Sequence, residues 1–450
     1  MAAPRGEFSS RLGFILAAAG SAVGLGNIWG FPTQAASNGG GAFLLVYLIM
    51  AFCLAYPALM AELIIGRHAR ANSVIALRKI ANSDTTRHLG AATGFAGITT
   101  ASLILSFYAI VAGWMLAYFL EPLCELVGWS AGASWLTEFS VERNLLFMLA
   151  FMLLTVSIIC GGVKDGIEKW STRLMPMLLV IMALLIVYVL TLDGAMAGVR
   201  AYLIPDFSRA VEPQLIVSAL GQAFFSMSLG VGTMLIYGSY IGRQENLASL
   251  GRAVTLIDIG IAVMAGLLII PAMYVAQSNG VTIYDAAGNL VAEESLIFTV
   301  LPALFDTMGA AGLFVAFAFF ALMAIAALTS SISMLEVPVA YAVESHGLQR
   351  KRATFLIGAI ITLVSTVIIL NFDTLFGLVV SLATRYSQPL LGLMLTVFAG
   401  WIWHRASVLK ELKAGFAGAE HSWFWKIWPP YIRYVCPVAI LTVFLQLVLS

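Results

Sequence analysis

The stretch GSAVGLGNIWGFP, Gly20 to Pro32, lies inside an apolar run that begins at Leu12, and its reading decides the fold. Glycine in a helix interior costs about 1 kcal/mol relative to alanine. Gly20, Gly24 and Gly26 together therefore make an unbroken helix unfavourable, and the chain is expected to leave the helix near residues 23–26. In a bilayer the freed carbonyls and amides need partners, so irregular backbone survives only where protein encloses it or it lines a wet cavity. A break at this depth marks a binding site.

Working outward, the 450 residues are 61% hydrophobic and 10% charged, against roughly 25% charged in ordinary soluble domains. Apolar runs of membrane length number eleven, centred near residues 24, 54, 106, 151, 179, 227, 264, 325, 361, 391 and 440. The polar start MAAPRGEFSS has no apolar core of a cleaved signal. With the N-terminus in the cytoplasm, most of the 24 Lys and Arg fall in inner segments; Arg143, Arg200 and Arg209 fall outside, and Arg385 lies within a span. That bias predicts N-terminus in and, after eleven crossings, C-terminus out, in the cell's inner membrane. Cysteines 53, 124, 160 and 436 form no CxxC pair, and no metal-ligand box is visible. A formal charge of +1 without a basic, aromatic-interleaved face excludes nucleic acid as a partner.

A second interruption occurs in GQAFFSMSLGVGTMLIYGSY, Gly221 to Tyr240, where Ser226, Ser228, Gly230 and Gly232 crowd the middle of span six. Small residues also let helices pack closely, but breaks at matched positions of two five-span halves point to an inverted-repeat transporter with its site at the midplane. GLGNIWG has the wrong spacing for a nucleotide loop and follows no strand. Two other features stand out. Thr329, Ser330 and Ser331 form a hydroxyl cluster in an apolar helix, suited to an ion or to bonding back to their own helix. Asp258 is an ionisable group at span depth, costing at least ~2.5 kcal/mol there, and is a functional candidate by default.

At these residues the chain resembles the neurotransmitter:sodium symporter family, most of all its bacterial amino-acid transporters. AAAGSAVGLGNIWGFP, NGGGAF, GQAFFSMSLGVG and ALTSSIS look like family signatures, in order and over nearly the whole chain. The resemblance implies an all-α polytopic protein: a core of two inverted five-span repeats, residues 1–202 and 203–405, with 406–450 supplying an inner loop and span eleven. It implies two sodium ions as co-substrates and no other cofactor. One sodium would be held by Ala22, Asn27, Ser226, Asp258 and the substrate carboxylate, the other by the carbonyls of Gly20, Val23 and Ala326 with the hydroxyls of Thr329 and Ser330. The substrate contacts it implies are Ala22, Gly24, Gly26, Ile104, Tyr108, Phe225, Ser226, Ser228, Val231, Ser330 and Met334. Tyr108 would bond the substrate carboxylate and Phe225 would cover the pocket. Monoamine carriers of the family place an aspartate at the position of Gly24, so here the substrate is expected to bring its own carboxylate, as an α-amino acid does. Chloride-dependent members use a serine where this chain has Ala262, and Asp258 could supply the negative charge instead.

Departures are equally legible. Gly30 stands where relatives carry the outer-gate arginine, and Val380 where its acidic partner would be. Arg385 is expected either to reach a polar or acidic substrate side chain or to point to helix-end carbonyls or the aqueous vestibule. At the inner end Arg5 and Glu344 match the family's inner gate, with Phe8 replacing a tryptophan. Gly166 and Pro176 in span five carry a spacing associated with unwinding, although proline kinks helices for ordinary reasons as well. The reading is a sodium-coupled amino-acid symporter working by alternating access and not an enzyme, since no nucleophile, base and metal constellation is visible. The alternatives are a non-transporting amino-acid sensor or an ion channel of the same fold. Assembly into a homo-oligomer is compatible with the sequence.

Overall fold

The computed structural model describes residues 6–284, 290 and 296–449. Helix dominates, and its boundaries follow local chemistry. The Ser10 side chain caps the helix Arg11–Ala22 by accepting from the Gly13 amide, and Ser83 with Thr86 closes a reciprocal cap on Asp84–Leu126. Asn246 caps Leu247–Ser278 in the same manner.

Among the described residues, eight helices are long and apolar enough to cross a membrane: Gly41–Ala69, Asp84–Leu126, Val141–Cys160, Val163–Leu190, Leu247–Ser278, Ala310–His346, Arg350–Leu370 and Trp423–Gln446. They are spans two to five, seven to nine and eleven. Span one is a bent pair, Arg11–Ala22 and Gly26–Ser37, whose arms meet at 55°. Span six is divided into Pro213–Ser226 and Thr233–Ser239. Span ten runs from Phe372 to Ile402 with two wider π-helical turns, Ser381–Ser387 and Phe398–Ile402.

The protein is thus an all-α polytopic membrane protein with both expected breaks. In span one Val23 adopts an extended conformation (φ −75°, ψ 104°). In span six Gly230 and Gly232 take φ of +89° and +84°, and Ser228, which has a Cβ, takes +51°. Backbone held in that region by a non-glycine residue is strained and recurs at functional sites. The break is supported from span two. The buried Glu62 carboxylate accepts from the amides of Gly230 at 2.8 Å and Leu235 at 3.1 Å, satisfying donors that the missing helical turn leaves free.

Spans three and eight pack along each other, and the first arm of span one packs against spans five, seven and eight. The arms of span six lie on the two ends of span two. Spans four, five and nine present leucine and valine outward at Leu146, Leu153, Val180, Leu184, Leu363 and Val367, as expected for faces that meet lipid. Span eleven rests on span ten at the edge.

Candidate functional site

The broken centre of span one meets span eight at the hydroxyl cluster. Ser330 Oγ lies 3.3 Å from the Gly20 carbonyl oxygen, 3.4 Å from that of Ser21 and 3.1 Å from that of Val23. Thr329 Oγ1 donates back to the carbonyls of Ala326 at 3.0 Å and Ile325 at 3.2 Å. Gly20 allows this closeness, since a Cβ there would stand 3.1 Å from Thr329 Cβ. The five oxygen-bearing groups named from the sequence, Gly20, Val23, Ala326, Thr329 and Ser330, therefore converge on one small volume. The third hydroxyl goes elsewhere: Ser331 Oγ donates to Leu328 and pairs with Thr155 Oγ1 at 2.9 Å, tying span eight to span four.

The other set meets at span seven. Asn27 Nδ2 donates to Asp258 Oδ1 at 2.8 Å and to the Asp258 carbonyl at 3.2 Å, while Ser226 Oγ donates to Oδ2 at 3.0 Å. All three residues are fully buried. Because its amino group is committed to Asp258, Asn27 turns its Oδ1 the other way, where it has no hydrogen-bond partner among the described residues. A buried carboxylate and a spare amide oxygen, with Ala22 beside them, are hard oxygen donors suited to a small cation. Asp258 forms no ion pair with a described basic residue. A buried charge left without a counter-charge is costly.

Between the two oxygen sets lies a cavity of about 20 Å³, room for roughly one water molecule. Every substrate contact implied by the family resemblance lines it, Leu25 and Gln388 join them, and Arg385 does not. Glycine is required on its span-one side: a Cβ on Gly24 would press on Ser330 and stand 2.8 Å from Tyr108 Oη, and one on Gly26 would stand 3.1 Å from the Phe225 ring. Tyr108 Oη is 3.3 Å from the Leu25 amide, so both groups face the centre at the start of the second arm. Phe225 is only half-buried, in keeping with a covering position.

Of the two readings of Arg385, a reach to the substrate or a position away from it, the structure describes the second, and Arg385 does not line the cavity. Arg385 is exposed and makes no hydrogen bond or ion pair with a described residue. In an α-helix residues three apart share a face, but Arg385 falls in the π-helical turn Ser381–Ser387, whose wider winding carries it off the face of Gln388. The site of the missing gate arginine is filled from span six. Gln222 Nε2 donates to the Gly26 carbonyl at 2.6 Å, and Gln222 Oε1 would be 3.3 Å from a Cβ on Gly30. Val380 is half-buried at the end of Phe372–Val380.

At the bundle end that carries the N-terminus, Arg5 lies outside the described residues, and Glu344 accepts from the Asn72 amide at 2.7 Å. A deeper pair sits nearby: the buried Glu336 carboxylate accepts from Arg350 Nη1 at 3.0 Å and Nη2 at 2.5 Å, and from Tyr240 Oη at 2.6 Å. Phe8 packs edge-on against Tyr240, Tyr237 and Phe14. Gly166 lies in a wound π-helical turn, Val163–Glu168, that continues into Lys169–Leu190 through Pro176. There Glu168 accepts from the hydroxyls of Ser9 and Ser10 at 2.8 and 3.0 Å, clasping the N-terminal segment.

Glu62, Gln222, Glu336 and Gln388 are the site residues the sequence reading missed. For Glu62 and Glu336 the signal was present: each is an acid at span depth, the criterion that singled out Asp258.

The family model described as "Sodium:neurotransmitter symporter family" matches residues 5–146 and 139–450. A sodium-dependent transporter of Bacillus subtilis is 34% identical over 98% of this chain and 97% of its own. A sodium- and chloride-dependent taurine transporter of Canis lupus familiaris is 31% identical over 63% of this chain and 52% of its own. The crystal structure of MhsT in complex with L-phenylalanine superposes with a TM-score of 0.83 at 36% identity, covering 98% of this chain and all of that one. With breaks, oxygen clusters and cavity arranged as described, the chain belongs to the sodium:neurotransmitter symporter family, whose members are transporters that depend on sodium.

Proposed function

We propose that the protein is a symporter that carries an α-amino acid into the cell together with two sodium ions. The observation that carries this reading is the buried, unpaired Asn27 Oδ1 beside the Asp258 carboxylate, at the edge of a cavity lined by Tyr108 and the Leu25 amide. A cation placed there gains the Asn27, Ser226, Asp258 and Ala22 oxygens, and a substrate carboxylate bonded by Tyr108 completes its shell. Substrate and ion then stabilise each other's binding. The second ion belongs with Gly20, Val23, Ala326, Thr329 and Ser330, where it bridges the first arm of span one to span eight. A Gly24 with no acidic side chain leaves the substrate to supply the negative charge, as an amino acid does.

In this reading residues 1–202 and 203–405 are the two repeats, and residues 406–450 are peripheral. The N-terminus faces the cytoplasm, the C-terminus lies outside the inner membrane, and Arg5 with Glu344 closes the inner path. Opening inward requires the Ser9, Ser10 and Glu168 clasp and the Phe8 aromatic packing to let go. Purified protein in liposomes with an inward sodium gradient tests the proposal against a panel of labelled amino acids. Saturable accumulation above the external concentration, lost in potassium, is expected. Flux only down the substrate gradient would make the protein a channel, and sodium-dependent binding without flux would make it a sensor.

A further inference from the structure

Span ten contributes one side chain to the cavity, and that side chain is polar. Gln388 is 2% exposed, lines the cavity, and its Oε1 is buried without a hydrogen-bond partner among the described residues. Its position is fixed by backbone contact. Gly230, in the left-handed region at φ +89°, brings the unwound part of span six so close that a Cβ there would stand 2.5 Å from the Gln388 carbonyl oxygen and 2.9 Å from the Gly392 amide. Val231, the next residue, lines the same cavity. Gln388 thus enters the cavity beside the Gly230–Val231 part of span six, whereas Tyr108 enters it at the Leu25 amide of span one; of the other lining side chains, those of Ile104, Phe225 and Met334 offer no hydrogen bond.

We propose that Gln388 sets substrate specificity, selecting α-amino acids whose neutral side chain ends in a hydroxyl or carboxamide. The proposal rests on the amino-acid symport reading and names the side chain that reading leaves open. A buried amide oxygen with no donor destabilises the site until something donates to it. The substrate's amino and carboxylate groups are bound at the sodium and Tyr108 end, so the group within reach of Gln388 is the side-chain terminus. A carboxamide accepts and donates at once. It therefore complements a hydroxyl or another carboxamide, and it disfavours an aliphatic side chain that would seal its oxygen in without a bond. Charge is disfavoured as well, because no ionised partner lines the cavity.

Isosteric pairs isolate the hydrogen bond from size: threonine against valine, and asparagine against leucine. In sodium-gradient liposomes the wild-type protein should bind and carry threonine and asparagine about tenfold or more better than their apolar isosteres. Gln388→Met, nearly the same length without the amide, should bring both ratios to within about twofold of one while leaving the sodium concentration for half-maximal uptake unchanged. Arg385→Gln should leave both ratios as in wild type. Sodium-driven uptake in which valine and leucine equal or surpass their polar isosteres in the wild type would overturn the specificity proposal and leave symport standing. Ratios that Gln388→Met does not move would do the same. Absence of sodium-driven uptake for every amino acid would instead overturn the symport reading itself. Should Gln388→Met fail to fold, the wild-type isostere ratios decide alone.

Discussion

Gly24→Ala places a methyl group at the most crowded point of the site. The new Cβ would press on Ser330 Oγ, stand 2.8 Å from Tyr108 Oη and 3.2 Å from Ser330 Cβ, all inside ordinary contact distance. Neither neighbour gives way freely. Ser330 Oγ sits among the carbonyls of Gly20, Ser21 and Val23, and Tyr108 Oη is held against the Leu25 amide. Overpacking of this kind costs about 1–3 kcal/mol, and each displaced hydrogen bond adds about 1 kcal/mol. The sum, about 2–4 kcal/mol, corresponds to substrate binding weakened by roughly 30- to 1,000-fold. The assay is sodium-dependent equilibrium binding of a labelled substrate to purified protein, with Gly221→Ala as control. Gly221 lies in the first arm of span six with nothing within 4 Å of an added Cβ, so there the same change should stabilise slightly, by about 0.4–1 kcal/mol. Wild-type affinity in Gly24→Ala would refute the assigned roles of Ser330 and Tyr108.

Three further outcomes are expected. Thr329→Ala with Ser330→Ala should abolish sodium-driven accumulation in liposomes while the protein stays monodisperse in detergent; retained accumulation with normal sodium dependence would make the hydroxyls structural. Transport should persist when gluconate replaces chloride, since an ionised Asp258 beside Asn27 and Ser226 would supply the negative charge, and Asp258→Asn should then lower uptake in chloride-free buffer by tenfold or more, about 1.4 kcal/mol. At the loop helix Arg405–Gly415, Glu411 accepts from the buried Arg67 at 2.7 Å. Burial alone would raise the Glu411 carboxyl, but the His68 hydrogen bond and the Arg67 guanidinium hold it below the usual carboxylate range. A depressed carboxylate contributes stability that is present above its unfolded pKa, about 4.3, and lost as pH falls through the folded value. Glu411→Gln should therefore lower thermal stability by about 3 kcal/mol at neutral pH, the low end for breaking a buried pair, because Arg67 keeps the carbonyls of Glu245 and Glu411. The wild-type advantage should be constant above the unfolded pKa and shrink progressively as pH falls from about 4.3 through the lower folded value, as read by fluorescence-detected melting.

What could be read from the sequence is what obeys local rules. Glycines 20, 24 and 26 and the run around Gly230 announce breaks because a helix tolerates them poorly, and both breaks are there. Asp258 and the 329–331 hydroxyls stand out as polar groups in apolar runs. For Arg385 the sequence left two directions open, because the π-helical turn at Ser381–Ser387, which sets the exposed Arg385 apart from the cavity-lining Gln388, carries no sequence signal. Gln388 itself carried no signal, being one amide beside Pro389 in a stretch that already held a charge. Glu62 was overlooked for another reason. As an acid at span depth it was visible, but its partners, the backbone amides of Gly230 and Leu235, are exposed by a distant break and leave no trace in the sequence around residue 62.

The central claim is that substrate and sodium complete one another's site around Asn27, Tyr108 and Asp258. Equilibrium binding of a transported amino acid to detergent-purified protein, titrated with sodium at constant ionic strength against potassium, tests it most directly. Affinity that rises with sodium concentration, disappears in potassium and is lost for the decarboxylated amine of the same substrate is the predicted result. Binding of equal strength with and without sodium, or undiminished binding of the amine, would contradict it.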